Sequence, residues 1–383
     1  MIRRCKKSRS ARQARRGAVL PIVAVMVVAL VGMLAFSVDL GYISVVRGQL
    51  QSGADAAALA SASQLLDRDW LEGVSSQSTS NADAAAQRFA SANVAGGVSL
   101  NLGSGDVVYG YIARPSDPAC PFETDRRPYN SAQVTVQRTT VQNGELGLFF
   151  ARIFNQGSLP LSARATATYE GNIGGFEFND NYPGQKCLLL PFSLDYRIWD
   201  DALNEVIESN DNWAYDPVTQ TAVPGKDGIN EVKLFPTKKL APGNFGTVDI
   251  GDSNNSASDL ARQILHGPNK ADFDLMGGKV ELGPDGKLVL NGDTGISAGV
   301  KDELESIIGM PRIIPLHESV TGNGNNAMFT IVRFVGCVIL EVKLTGGDKY
   351  VMIQPEFATD STAIGGGPES DHSFVYKPLK LTR

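Results

Sequence analysis

The fold of this chain is decided near its N-terminus by an uncharged stretch of 21 residues, Ala18 to Val38, which reads AVLPIVAVMVVALVGMLAFSV. As an α-helix rising about 1.5 Å per residue it is roughly 31 Å long, which matches the ~30 Å hydrocarbon core of a membrane. Twelve of its residues are Leu, Ile, Val or Phe, and Pro21 lies in the first turn, where a missing N–H costs little. The stretch therefore predicts a single transmembrane helix.

The charges on either side of this stretch predict its orientation. Eight Lys and Arg residues and no acid lie in residues 1–16, whereas Arg47 is the only basic residue among the twenty that follow Val38. Because basic flanks stay in the cytoplasm, we expect a cytoplasmic leader (1–17), one span of the inner membrane (18–38), and an extracytoplasmic remainder. A cleaved secretory signal, cut near Ala35-Phe36-Ser37, is the less favoured alternative, because the apolar run exceeds the roughly 7–15 residues of a signal.

Composition and motifs argue against several classes of protein. The chain has 383 residues with 35 Lys and Arg against 41 Asp and Glu, so the part after the basic leader is strongly acidic, and we expect no nucleic-acid partner. His266, His317 and His372 lack metal-ligand spacing, and the sequence holds no zinc, serine-hydrolase or phosphate-loop motif. We expect no catalytic residue, no cofactor and no metal. Asn- and Asp-rich loops such as Asn179–Asn181 favour Asx-turns over calcium ligation.

The helical pattern continues beyond the apolar stretch, and we expect one helix from near Ala18 to Leu66. Small and apolar residues recur there at spacings of three and four and share one face, called here the stripe: Ile43, Val46, Leu50, Gly53, Ala57 and Ala60. The stripe becomes small towards Ala60, which permits close approach of another element. Two interpretations stay open: a core covered by the domain that follows, or a seam against another membrane-anchored helix.

Several motifs around this helix resemble those of a known family. Arg15-Arg16-Gly17 precedes the apolar stretch, Asp39-x-Gly41 follows it, and Leu50-Gln51-x-x-Ala54-Asp55-Ala56-Ala57-Ala58-Leu59-Ala60 comes next. This order resembles the N-terminal module of TadG-like proteins, which belong to the tight-adherence (Flp pilus) assembly family of bacteria. The resemblance covers about 50 of the 383 residues. It implies a bacterial, membrane-anchored component of a pilus or tight-adherence secretion apparatus.

Two features of related proteins are not matched. Prepilin-like relatives carry Glu five residues after the processing Gly, but the position five residues after Gly17 is Ile22, so peptidase processing is not indicated. Many family members carry a von Willebrand A domain whose metal site needs Asp-x-Ser-x-Ser. The nearest string, 252–256, reads Asp-Ser-Asn-Asn-Ser, and we expect that domain and its Mg²⁺ to be absent.

The remaining pattern predicts an α+β fold that is mostly β. A second helix is expected from Asn81 to about Ala92, and alternating or β-branched residues beyond it predict strands. A long helix against a small antiparallel sheet is a pilin-like plan, which we assign to residues 39–172. Within it, Leu146–Phe154 is expected to be a compact apolar helix.

A second, β-dominated extracytoplasmic domain is expected over residues 173–383. Gly171–Gly175 is interpreted as the linker that leads into it. Lys279–Leu290 contains two alternating stretches around a Gly-Pro-Asp-Gly turn and predicts a β-hairpin. Phe329–Thr345 and Tyr350–Pro355 are the most apolar stretches and predict central strands.

Three of the four cysteines lie in the extracytoplasmic part, where oxidation is possible, whereas Cys5 lies in the leader. Cys120 and Cys187 have loop-like surroundings, and Cys337 lies in an apolar run typical of a buried strand. We predict a Cys120–Cys187 disulfide, with three reduced thiols as the alternative.

These observations lead to a hypothesis of a non-enzymatic, single-span cell-envelope protein that takes part in pilus assembly. Its expected partners are membrane lipid and other pilus-assembly or envelope proteins that pack on the stripe, and an oligomer is also compatible with the pattern. The alternative is an adhesin or ligand-binding ectodomain that uses a borrowed anchor, in which residues 173–383 bind a glycan or surface polymer.

Overall fold

The computed structural model describes residues 19–66, 68, 71, 77–204, 210–235, 245–251, 256–347, 349–370 and 373–382. The α-helices of this part are α1 (Val19–Ala62), α2 (Ser80–Ser91), α3 (Tyr196–Leu203), α4 (Ala257–His266), α5 (Lys270–Leu275) and α6 (Lys301–Ser306). Single turns of 3-10 helix lie at Ala151–Phe154, Ala298–Val300 and Gly324–Asn326. The basic leader, with Cys5, lies outside the described residues, as do Asp252–Asn255 and His372.

The helix α1 runs without a break through the apolar stretch and the stripe, as the sequence predicts. Its last four turns are rich in Ala, which has the highest helix propensity, and no Pro follows Pro21 within it. The second expected helix is confirmed as α2, whose four buried residues are all alanines. Small side chains on both helices allow α1 and α2 to pack closely.

The first unit of the molecule consists of α1, α2 and a small antiparallel sheet. Its strands are β1 (Val94–Ala95), β2 (Val98–Ser99), β3 (Val107–Gly110), β4 (Ser131–Arg138), β5 (Leu146–Gly147), β6 (Ser158–Leu159) and β7 (Leu161–Thr168). The strand β4 pairs with both β3 and β7, and the outer half of α1 lies across β4 and β7. One apolar core joins the helices to the sheet. The predicted helix-on-sheet plan is therefore confirmed.

The second unit is dominated by strands, which continue in chain order as β8 (Ile173–Glu177), β9 (Phe192–Asp195), β10 (Trp213–Asp216), β11 (Thr221–Pro224), β12 (Val232–Leu234), β13 (Phe245–Val248), β14 (Lys279–Glu281), β15 (Leu288–Asp293), β16 (Pro311–Thr321), β17 (Ala327–Lys343), β18 (Tyr350–Pro355), β19 (Ala358–Thr359), β20 (Ala363–Gly365), β21 (Val375–Tyr376) and β22 (Lys380–Leu381). Pairings β9–β13–β15–β17–β16–β9 close a small ring, and β18 with β12 extends the sheet from β17. The long β17 is its central strand, as its apolar sequence predicts.

Three local expectations are wrong. Lys279–Leu290 is not a hairpin, since β14 pairs with β8 while β15 pairs with β13 and β17. Gly171–Gly175 is not an open linker, because Ile173–Glu177 is the strand β8, and a Cβ on Gly175 would lie 2.4 Å from the Val280 carbonyl oxygen. Both errors concern pairings between residues distant in sequence, which local turn signals do not encode.

Leu146–Phe154 is not a compact helix either. It contains the two-residue strand β5 and one 3-10 turn at Ala151–Phe154. Its large side chains Phe149, Ile153 and Phe154 are exposed rather than buried in a core. An apolar run by itself does not say what covers it.

The last strand returns to the first unit. The strand β22 pairs with β7, with Lys380 opposite Thr168 and Leu381 opposite Ala167. The order of the first sheet is thus β22–β7–β4–β3. The overall class, α+β with a long N-terminal helix and a β-rich C-terminal region, is as the sequence predicts.

Candidate membrane-anchoring site

The N-terminal half of α1 is apolar and lies open. From Val19 to Val38 every residue is exposed except Ala35, which is half-buried. The helix is long and apolar enough to cross a membrane, and none of its most apolar window is buried within the described protein. Exposing apolar surface to water costs about 25 cal/mol per Å², and a membrane removes that cost. The apolar helix therefore suggests membrane anchoring.

The exposed half of α1 ends at a buried acid, Asp39, whose side chain is 3% exposed. Its carboxylate accepts three backbone hydrogen bonds, from the N–H groups of Phe149 (2.8 Å), Phe150 (3.0 Å) and Ala151 (2.7 Å). A buried carboxylate is tolerated when several donors satisfy it. Asp39 thus holds the segment Phe149–Ala151 against α1 at the end of the apolar stretch.

An aromatic contact reinforces this junction. The ring of Tyr42, one turn beyond Asp39, lies 5.1 Å from that of Phe149. Sequence reasoning placed Asp39 in a family motif and Leu146–Phe154 in a helix, but it did not predict the contact between them. The available signal was the acid itself, because a carboxylate at the edge of an apolar run needs donors.

The stripe forms the core of the first unit. Val46, Leu50, Gly53 and Ala57 are buried, whereas Ile43 and Ala60 are half-buried. Val46, Leu50 and Ala57 share a core with the alanines of α2 and with the inward side chains of β4 and β7, and Ile43 packs against its edge. The approach is close at Gly53, where a Cβ would lie 2.7 Å from Leu100 Cδ1.

This packing shows that most of the stripe is a core covered by the chain's own domain, rather than a contact surface for another membrane-anchored helix. The sheet and α2 already cover the buried residues, so a partner helix cannot reach them without unfolding the unit. The expectation that partners pack on the stripe is therefore corrected: the described structure offers them other surfaces, including the exposed side of α1 at Val45.

A partly buried ion cluster joins the two units after α1 ends. Arg68 contacts the carboxylates of Asp227 (Nη2–Oδ2, 3.0 Å) and Glu356, and its guanidinium lies 5.3 Å from the Tyr215 ring centroid. Burial raises the pKa of Glu356, although the charge of Arg68 opposes the shift. An Arg held by two acids and a ring has little freedom, and it links the region after α1 to the second unit.

A second link is made by the C-terminal residues. Glu170, buried just after β7, accepts hydrogen bonds or ion pairs from Lys380 Nζ (2.9 Å) and Lys377 Nζ (3.2 Å). Burial alone raises the pKa of this carboxyl, but the two lysines outweigh burial and lower it below its ordinary value. With the β22–β7 pairing, this contact holds the end of the chain on the first unit.

A cleft of about 260 Å³ with a mixed polar and apolar lining lies where the two units meet. Arg126 stands in its wall, 3.9 Å from the centroid of the Tyr111 ring, and pairs with Glu369 of the second unit at 3.0 Å. Tyr129 and Tyr376 also line the cleft. Its charged groups are engaged with one another, so the arrangement serves best as a contact between units.

The predicted disulfide partners lie in different surroundings. Cys120 is buried in the first unit, where its sulfur accepts from the Arg114 N–H at 3.4 Å. Cys187 is buried in the second unit, and burial, with Asp360 nearby, raises the pKa of its thiol. The structure has thiols at both positions and at Cys337. The Cys120–Cys187 pairing stays a prediction for peptide mapping without reduction.

Polar groups that resembled chemical sites have structural contacts. In the Asn179–Asn181 loop the Asn181 N–H donates to Asn179 Oδ1 at 2.9 Å, which is an Asx-turn. Among the residues that the structure describes, no three or more His, Cys, Asp and Glu side chains are grouped as metal ligands. Ser193 Oγ lies 2.7 Å from His317 Nδ1, but both side chains are almost fully buried, and substrate cannot reach the pair.

Comparison with family models gives two matches, both in the N-terminal part. Residues 17–64 match the Tad model, described as putative Flp pilus-assembly TadE/G-like, and residues 51–167 match Tad_C, described as putative Tad-like Flp pilus-assembly. Searches of curated proteins and of solved structures gave no match.

The two matched segments coincide with a structural unit. The first covers α1 and the second runs from the outer part of α1 through α2 to β7, which together contain the whole buried core of the first unit. Residues 17–167 of this chain are therefore similar to TadE/G-like and Tad-like Flp pilus-assembly proteins, and this similarity supports a TadG-like tight-adherence module in the N-terminal part.

Proposed function

We propose that this chain is a non-enzymatic, single-span protein of the inner membrane that takes part in assembling tight-adherence pili. Residues 1–17 lie in the cytoplasm, α1 crosses the membrane up to Val38, and the two β-rich units lie outside. The observation that carries this proposal is the exposed apolar half of α1, continuous with a folded unit that matches pilus-assembly models.

The connection between the units supports a role as a rigid mount. Arg68 joins the region after α1 to Asp227 and Glu356, and β22 pairs with β7. Because the chain crosses between the units more than once, the second unit cannot swing freely on one linker. The anchor would thus hold the second unit at a fixed height above the membrane, where other pilus-assembly proteins bind it.

Orientation is tested by thiol labelling in spheroplasts. Cys5 reports on the leader, and Val218→Cys in a Cys5→Ser background reports on the second unit, because Val218 is 90% exposed. A membrane-impermeant maleimide should label Val218→Cys in intact spheroplasts and Cys5 only after permeabilisation. The buried Cys337 thiol should react only after denaturation, and Cys120 and Cys187 should react then only if they are not joined in a disulfide. Labelling of Cys5 in intact spheroplasts would overturn the proposed orientation.

The assembly role is tested by complementation. In a bacterium that makes Flp pili, loss of this chain should reduce the number of pili seen by electron microscopy, and the full chain should restore it. A matched variant in which a cleavable signal peptide replaces residues 1–38 releases the outer part, and it should fail to restore pili. Normal piliation with reduced attachment to surfaces would instead favour the adhesin alternative.

A further inference from the structure

Four large apolar side chains are exposed within six residues of the segment Leu148–Phe154. Exposed fractions are 60% for Phe149, 41% for Phe150, 79% for Ile153 and 76% for Phe154. Contiguous apolar exposure of this kind marks a surface that something covers. The question is what covers it.

The location of the segment answers this question. Phe150, Ala151, Ile153 and Phe154 share an open cleft of about 660 Å³ with the residues of α1 from Val28 to Val38. The exposed side chains are thus continuous with the apolar stretch of α1. Ten residues of helix at about 1.5 Å per residue amount to roughly 15 Å, which is half the ~30 Å hydrocarbon core. The segment therefore lies level with one leaflet.

Most backbone N–H groups of the segment have partners within the protein, which favours a place in lipid. In hydrocarbon, peptide groups need partners within the protein, because no water can replace them. The N–H groups of Phe149, Phe150 and Ala151 donate to Asp39. Those of Leu148, Ile153, Asn155 and Gln156 donate to backbone carbonyls of the same loop. The exposed Arg152, with its long stem, can extend its charge to the headgroups.

We propose that Leu148–Phe154 is a second membrane element, which inserts into the outer leaflet beside α1 and contacts lipid acyl chains. Asp39 is its positioning residue, since the carboxylate holds the segment against the helix at the membrane boundary. A helix and a loop together fix the depth and the rotation of the anchor, which one helix does not. The proposal rests on the proposed function, because it requires α1 to span the bilayer.

Fluorescence in reconstituted vesicles tests the insertion. Full-length protein in a Cys5→Ser background carries a single NBD label at Ile153→Cys, Val31→Cys or Val218→Cys, and is placed in phosphatidylcholine–phosphatidylglycerol vesicles. We expect the Ile153 probe to show blue-shifted emission, strong quenching by doxyl-labelled acyl chains and loss of iodide quenching, like the Val31 probe. The Val218 probe should show the opposite behaviour.

The controls separate the two proposals. If the Val31 probe is open to iodide, the membrane span itself is wrong. If Val31 is protected while Ile153 is quenched by iodide, only the insertion is overturned. Quenching at Ile153 that depends on the protein-to-lipid ratio, rather than on doxyl lipid, would mean that a second copy covers the segment and would also overturn it.

Variants of Asp39 test the positioning role. Asp39→Ala leaves three backbone donors without their acceptor, and the amides of Phe149–Ala151 should exchange with deuterium faster by on the order of tenfold or more. The Ile153 probe should then lose its protection from iodide, whereas the Val31 probe keeps it. Asp39→Asn retains one acceptor oxygen and should lie between the two. Unchanged protection at Ile153 in Asp39→Ala would exclude this role.

Discussion

The two halves of α1 form one helix but lie in different surroundings. From Val19 to Val38 most side chains are bulky and all but that of Ala35 are exposed, whereas from Val46 to Ala62 the inward face is built largely of Ala and Gly and is buried. Size explains the difference. Bulky side chains all around a helix suit lipid, while small ones on one face let a sheet and a second helix approach closely.

Asp39 divides the two halves. It is the first buried residue of α1, and its three hydrogen bonds tie the folded unit to the helix at that level. The comparison teaches that the surroundings of the helix change over about two turns, from Asp39 to Val46, and that one satisfied carboxylate marks where the protein cover begins.

A larger side chain in the buried half of α1 should lower the stability of the protein more than any other change considered below. Ala57 is fully buried between α1 and its cover, so Ala57→Phe should lower the free energy of unfolding by about 3 kcal/mol. Urea unfolding in detergent micelles, followed by circular dichroism, measures it. Ala24→Phe, the same change in the exposed half outside the cleft beside Leu148–Phe154, is the matched control and should have almost no effect. Equal losses in both variants would refute the division of the helix.

The ion pairs of Glu170 with Lys377 and Lys380, which hold β22 on the first sheet, should contribute less to stability than the packing of Ala57. The pKa of Glu170 lies below its ordinary value of 4.5, so the folded protein binds its proton less tightly than the unfolded chain does. Its stabilising contribution is therefore present at neutral pH and is lost as the pH falls below about 4.5, through the folded pKa. Glu170→Gln should lower the free energy of unfolding at pH 7 by about 1 kcal/mol.

The same variant should also show a smaller loss of stability between neutral and acidic pH than the natural chain, in urea titrations at each pH. Glu318→Gln is the control, because Glu318 pairs with Lys287 at the exposed surface, and such pairs contribute little. An unchanged pH dependence of stability in Glu170→Gln would mean that the ion pairs of this carboxylate do not stabilise the attachment of β22 to the first sheet.

Substitutions of two glycines in the outer half of α1 should differ least in their effect on the free energy of unfolding. A Cβ on Gly48 meets nothing within 4 Å, whereas one on Gly53 would lie 2.7 Å from the buried Leu100 side chain. Gly48→Ala should raise the free energy of unfolding by about 0.5–1 kcal/mol, because Ala favours the helix. Gly53→Ala has the same backbone gain but strains the contact, and its net effect should be near zero. If thermal unfolding shows equal gains in stability for both variants, Leu100 does not pack against α1 at Gly53.

Local patterns predicted much of the N-terminal unit. The length of the uncharged run predicted the apolar half of α1, and spacings of three and four predicted its buried half. Alternating residues predicted strands in the regions of β4 and β7. Each of these signals is contained in a short window of sequence. The same reasoning failed for Leu146–Phe154. Its apolar residues predict burial, but the pattern is identical whether protein or lipid provides the cover.

Long-range contacts account for the other omissions. The donors to Asp39 come from more than a hundred residues away, and the partners of Arg68 lie in the second unit. The strands β14 and β15 are neighbours in sequence but join different sheets. No local propensity encodes such pairings, since they depend on which surfaces the folded units bring together.

By itself, the sequence determined the α+β class, the apolar half of α1, its continuation into a small-sided helix and a resemblance to TadG-like proteins over about 50 N-terminal residues. Those features depend on residue size, charge and period over short distances. Only the tertiary structure decided that the stripe is covered by its own sheet, that Asp39 caps a distant apolar loop and that the C-terminus returns to the first sheet. These depend on contacts between distant residues, which form only when the chain is packed.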